Sequence, residues 1–366
     1  MSALLAAAVL TGKVFLDLQH SRIKAAINVP YTTFLINPAF EIHNAGAHVE
    51  KSGDDPATVT LSAPGTVEYE GPITVRDDFV ELGLDDFWYP VDPHIGENEF
   101  RYDLDVVVEP GEPAGYQLVT NGVVHGHHVT SRVPDIDIDL ILGRDLDTVR
   151  NGQLALVTKN VAPEIPRKLL ADMRRVLDFY NSTFGAGDRE RSVTGVFRPY
   201  PTREGQGGYF RKGYFVLAKL TDAEAMLPNI AHELAHHWWI HAGQQQAWLN
   251  ESFAEYSAMM AMRRLRGQAF FDRAMEEKRH RAAAAPLPPI YGFDRTKNRR
   301  ITPVMLYVKG PLALGALERE IGEAKFLRLL RRTAQQRVTD TDRFVALVGE
   351  VASPRVAADF LQLLKE

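Results

Sequence analysis

The stretch His232-Glu233-Leu234-Ala235-His236 imposes the tightest constraint on this chain. On a helix, positions i and i+4 share a face, so both imidazoles can turn a ring nitrogen toward one metal ion. Glu233 lies on a neighbouring edge, where it can reach a water at that metal as general base without being a ligand. The five-residue pattern also arises by chance on surface helices. Here its neighbours Ile230, Leu234, Ala235, Trp238, Trp239 and Ile240 are apolar. Such a helix is expected to be buried, and buried His and Glu need partners, which a metal supplies. A catalytic zinc has three protein ligands and one open position. The third ligand is expected from a following helix, which Trp248-Leu249-Asn250-Glu251 opens.

The chain has no cysteine, so a zinc would be held by His and carboxylate alone. Its 366 residues suffice for two domains. With 42 basic and 47 acidic residues the net charge is −5, which gives no case for nucleic acid as a partner. Ala3 to Leu10 is an apolar run without a preceding Lys or Arg. It is too short to span a membrane and reads equally as a signal core or as a short buried element. No later segment reaches transmembrane length, so a soluble protein is expected, with cytoplasmic slightly favoured over exported. Nothing in the residues sets the oligomeric state.

Short β-branched or alternating runs recur from about Lys13 to Arg144, as in Thr58-Val59-Thr60-Leu61 and Tyr102 to Val108. Turn signals at Pro64-Gly65, Pro110-Gly111 and Asn121-Gly122 punctuate them. An antiparallel sandwich or saddle-like sheet is expected there. His125, His127 and His128 cluster in a turn of that region, and a structural role is the expectation. Beyond about residue 150 the pattern changes to strands at 153–158, 193–197 and 214–217 and an amphipathic helix over 163–184. Thr221-Asp222-Ala223-Glu224 is a capping-box pattern, and Pro228 suits the first turn of the metal helix. Helices are expected over 251–265, 269–283, 303–321, 323–336, 342–351 and 354–364. The fold class is therefore α+β: an N-terminal antiparallel β domain over 1–150 and a catalytic domain over 151–366, with a small mixed sheet and a mostly helical part.

Four elements of the chain resemble the aminopeptidase N family of zinc metallopeptidases, whose catalytic domain is thermolysin-like. His232-Glu233-Leu234-Ala235-His236-His237-Trp238 looks like its zinc helix. Trp248-Leu249-Asn250-Glu251-Ser252-Phe253-Ala254-Glu255-Tyr256 looks like its second helix, with Ser252 where the family usually has Gly. Tyr307-Val308-Lys309-Gly310 looks like its Tyr-x-Lys-Gly element, and Phe87-Trp88-Tyr89-Pro90 like the Trp-Tyr-Pro element of its β domain. The resemblance implies one zinc per chain, held by His232, His236 and Glu251. It implies that Glu233 is the general base and that Tyr307 donates a hydrogen bond to the tetrahedral oxyanion. It also places Gly207-Gly208-Tyr209 on the strand that pairs with a peptide substrate.

Departures from the family pattern matter. Glu251 follows His236 more closely than is usual, and Glu255 falls at the usual spacing. The two share a helical face. The Trp-Leu-Asn-Glu context favours Glu251 as ligand, with a shortened loop around Gln244-Gln245-Gln246, and leaves Glu255 to orient a ligand His. Phe210 stands where the family has the Glu that grips a substrate α-amine, and nearby Glu204 is the candidate replacement. The chain ends soon after the catalytic helices, so on this reading the family's C-terminal helical domain is missing and the cleft is more open. A zinc peptidase acting on peptides, by preference an aminopeptidase, is the expectation. The alternatives are an open-cleft endopeptidase and an inactive peptidase-like binding protein.

Overall fold

The structure is a computed structural model that describes residues 8–53, 55–94, 98–109, 115–185, 192–201, 208–295 and 297–366. Strand-forming sequence fills the first part. A seven-stranded sheet runs in the order Val123–His125, His128–Thr130, Phe100–Glu109, Ala8–Asp17, Arg22–Val29, Gly65–Pro72, Glu41–Ile42. Its pairings are antiparallel except that Ala8–Asp17 and Phe100–Glu109 run parallel. Side chains alternate as a half-buried strand requires: Ile23, Ala25, Ile27 and Val29 face the core and the residues between them do not. The apolar run near the N-terminus thus ends in the central strand of this sheet, while residues 1–7 lie outside the described residues. The His125 and His128 rings sit on an exposed hairpin.

Trp88 and Tyr89 are fully buried in this β core. The Trp88 indole donates to the Ile138 carbonyl at 3.0 Å, and the Tyr69 hydroxyl donates to the Trp88 carbonyl at 2.7 Å. The Tyr89 hydroxyl donates to Asp137 Oδ1 at 3.2 Å. Phe87-Trp88-Tyr89-Pro90 therefore fixes the segment Asp135-Ile136-Asp137-Ile138-Asp139, and that segment faces the second half of the chain.

The second half has its own core, built from residues 154 onward. Five strands lie in the order Leu146–Asn151, Leu154–Lys159, Val193–Phe197, Tyr214–Leu217, Tyr209–Arg211. The three central strands are parallel and both edge strands antiparallel, so the sheet is mixed as expected. Helix α1, Glu164–Phe184, covers it with Leu169, Leu170, Met173, Val176, Leu177 and Tyr180. Helices α2 (Ala223–Ala235), α3 (Ala247–Arg266) and α4 (Gln268–Ala283) follow, and further helical segments run from Thr302 to Lys365. A smaller apolar cluster joins the halves, with Phe79 and Ile141 against Val157, Val196, Tyr214 and Val216.

Two prolines shape this part. Pro228 lies inside α2 rather than in its first turn. Its missing N–H leaves the Glu224 carbonyl without its helical donor. The Arg266 guanidinium, at the end of α3, donates to that carbonyl instead. The single helix expected over 303–321 is broken: Thr302–Val304 is one turn, Met305–Lys309 is a π-helix, and an α-helix resumes over Gly310–Ile321. Such π segments are rare and are frequent at functional sites. Among the described residues no helix is long and apolar enough to cross a membrane.

Candidate metal centre

Helix α2 starts at Asp222, whose carboxylate accepts the Glu224 and Ala225 amides at 2.6 and 2.9 Å. Its apolar side packs on α1, where the Tyr180 hydroxyl donates to the Ala231 carbonyl at 2.8 Å. The opposite side presents His232 and Glu233. The helix ends at Ala235, so His236 is its C-cap, in a tight turn that leads into Trp238 and Trp239. Asn250 closes the short connection to α3, since its side chain accepts from the Ala242 amide and donates to the Ala242 carbonyl. That exchange brings Glu251, in the second turn of α3, against the two histidines.

His232 Nε2 and His236 Nε2 are 3.1 Å apart, and Glu251 Oε2 lies 3.5 and 3.7 Å from them. All three ligand atoms fall within 4.8 Å of one another. The outer ring nitrogens are engaged elsewhere: His232 Nδ1 with Glu255 Oε2 at 3.0 Å, His236 Nδ1 with the Trp239 carbonyl at 3.0 Å. Each imidazole thus keeps Nε2 for the centre, the arrangement metal-ligating histidines use. Two imidazole nitrogens and one carboxylate oxygen are a donor set that suits zinc. Glu255 stands behind His232 rather than in the centre.

Burial pushes the Glu233 carboxyl up to about 7, against the opposing charge of His232. Burial would also raise Glu251 and Glu255, yet both are held near about 2. His236, His232 and the Tyr307 hydroxyl do this for Glu251, and His232 and Lys278 for Glu255. Burial lowers His236. Burial acts likewise on His232, but its hydrogen bonds to Glu251 and Glu255 carry it up to about 10.

Tyr307, on the π-helix, donates to Glu251 Oε2 at 2.9 Å, and its ring lies 5.6 Å from that of His232. Burial and the Glu251 charge push the phenol well above its ordinary value, so it stays a proton donor. Lys309 anchors the same segment by donating to the Pro288 carbonyl at 2.6 Å.

The edge strand Tyr209–Arg211 passes beside α2. A Cβ on Gly208 would overlap Leu217 and lie 3.1 Å from Glu233 Oε1, so only glycine lets the backbone come this close. Phe210 is buried, its ring 6.2 Å from that of His236. Tyr209 points the other way: its hydroxyl donates to Asp139 Oδ1 at 2.6 Å. Its side chain is therefore not a wall of the site, and only its backbone belongs to the strand beside it. Arg211, buried, bonds Asp137 Oδ2 through Nε at 2.8 Å and Nη2 at 2.6 Å. Arg198 and Glu81 form a second, two-point pair across the junction. Gly207 and Glu204 lie outside the described residues.

Sequence reasoning missed Lys278, which reaches the centre from α4, and the Asp137–Arg211 link. The stripe Phe271, Met275 and Lys278 on an otherwise exposed helix was the available signal for the first. Asp135-Ile136-Asp137-Ile138-Asp139 reads as an ordinary alternating strand, so the second had none.

The α+β fold carries a three-donor centre suited to zinc. More particularly, the fold is that of the M1 zinc metallopeptidases. The M1 zinc metallopeptidase from Deinococcus radiodurans superposes with a TM-score of 0.67 at 17% identity, covering 99% of this chain and 93% of that one. A mutant of a two-domain M1 enzyme bound to L-arginine gives 0.70 at 16%, covering 99% and 94%. Native leukotriene A4 hydrolase from Saccharomyces cerevisiae gives 0.69 at 12%, with 98% of this chain on 66% of that one. No family model and no curated protein matches the sequence.

Proposed function

We propose that this chain is a zinc-dependent peptidase. The observation that carries the reading is the convergence of His232, His236 and Glu251 on one point, with the buried Glu233 carboxylate beside it and the Tyr307 hydroxyl 2.9 Å from Glu251. Zinc bound by those three residues would supply Lewis acidity and activate water for attack on a peptide carbonyl. Glu233, buried beside the three donors, would serve as the general base toward the attacking water and as the proton donor to the leaving amine, a role that a carboxyl poised near neutrality suits. Tyr307 turns its hydroxyl from Glu251 to the oxygen on which charge develops. The strand Tyr209–Arg211, last in its sheet among the described residues, is where an extended peptide would pair, and Gly208 keeps that strand close to Glu233. The division into two domains near residue 150 is supported by the two separate cores, with Leu146–Asn151 joining the second sheet.

The structural neighbours include an M1 mutant bound to a Tyr-Ser-Ala substrate, which supports a peptide as the substrate of this chain. One observation favours the second reading, internal cleavage: Phe210 places an aromatic ring beside His236. A cationic α-amine entering there would lose water without gaining a carboxylate from this residue. The test sets amino-acid arylamides against an N-acetylated, internally quenched peptide, with Glu233→Gln as control. Zinc retention with loss of turnover in Glu233→Gln is expected. A zinc-loaded parent that cuts neither substrate would defeat the peptidase reading, and efficient cleavage of the blocked peptide would defeat the aminopeptidase preference.

A further inference from the structure

We propose that Lys278 is a positioning residue of this centre, one ammonium that ties the carboxylate behind His232 to the backbone carrying Tyr307. Lys278 Nζ donates to Glu255 Oε1 at 2.6 Å and to the Tyr307 carbonyl at 2.7 Å. Glu255 uses its other oxygen for His232 Nδ1. Helix α4 buries only Phe271, Met275 and Lys278, a stripe at i, i+4 and i+7. Two of these positions are apolar, and a third apolar residue would complete the packing. Lysine there is costly to bury unless it is paired, and this one is 8% exposed.

Pro311 explains the second contact. Having no N–H, it supplies no donor to the Tyr307 carbonyl in an α ladder or to the Leu306 carbonyl in a π ladder. Both receive a side chain instead: Lys278 for Tyr307, and the Ser252 hydroxyl, at 2.7 Å, for Leu306. Lys278 thus touches both the carboxylate that orients a metal ligand and the backbone that places the tyrosine.

For turnover the inference rests on the peptidase reading, but for zinc affinity it does not. Lys278→Met and Lys278→Arg would be titrated with zinc against a competing chelator, with folding checked by circular dichroism. Supporting partners of metal ligands are typically worth ~10–100-fold in affinity. Lys278→Met is expected to weaken zinc by at least about tenfold and to lower kcat with little change in KM. Lys278→Arg, which keeps the cation beside Glu255, is expected to restore most of the zinc affinity. Should the Met variant fail to fold, Lys278→Gln takes its place with the same expectation. A folded, uncharged variant that binds zinc as the parent does would overturn the proposal, whatever its activity.

Discussion

Ser252 and Gly310 are cut to fit each other. A Cβ on residue 310 would overlap the Ser252 hydroxyl, and that hydroxyl holds the Leu306 carbonyl of the π-helix. Gly310→Ala should therefore cost about 1–3 kcal/mol of stability, the usual range for overpacking a close contact. In a Ser252→Gly background, which is itself weakened by loss of the bond to Leu306, Gly310→Ala should cost less than it does in the parent because the crowding atoms are gone. Denaturant unfolding of the single and double variants checks it, and additive losses would show that the two residues do not share the space.

Glu251 and Glu255 should separate cleanly in metal content. Glu251→Gln removes a charged donor from the centre and should leave the purified protein largely without zinc. Glu255→Gln should retain zinc with affinity lowered ~10–100-fold, since it acts through His232. Metal analysis together with chelator competition reads both. The reverse order would make Glu255 the ligand.

Tyr307→Phe should keep zinc and lose turnover by about 10²–10³-fold, the cost of removing one oxyanion donor, with KM little changed. Steady-state kinetics on the better of the two substrate types measures it. Parent-like kcat would leave the hydroxyl with no role beyond its bond to Glu251.

Asp139 should give the domain junction a pH dependence. Burial, and then the Asp137 charge, push its carboxyl well above the ordinary range, and Oδ2 has no partner. A carboxyl raised in the native state favours folding while protonated. Its contribution is complete below the unfolded value near ~4 and is lost as pH rises through the native value. The denaturation midpoint of Asp139→Asn should accordingly fall less between pH 5 and 9 than that of the parent. Parallel curves would contradict this.

The centre was legible in the sequence where helix periodicity and chemistry coincide. His232 and His236 share a face because of their spacing, and few residue pairs in that context serve anything but a metal. Glu251 and Glu255 share a face too, so spacing could not assign them. Their positions follow from the Asn250 exchange with Ala242, a loop contact with no periodic signature. Lys278 was hidden in a run of charged residues that resembles a solvated face. The π-helix was hidden because its sequence, Met305 to Lys309, is good helix sequence, and its departure from α geometry depends on Pro311 and on donors from other helices. The direction of the Tyr209 side chain was not legible either, because backbone proximity to Glu233 at Gly208 says nothing of the next side chain, which alternation sends to the opposite face, toward Asp139.

The Arg211–Asp137 pair has a further consequence. The strand that passes Glu233 is fastened by an anion from the other half of the chain. The β-rich half is thus one jaw of a vice rather than a handle. Grafting the helical half onto a foreign β body would leave a buried guanidinium without its counter-ion and slacken the strand that shapes the cleft. A chimera between such proteins would have to carry the loop from Asp135 to Asp139 along with the helices.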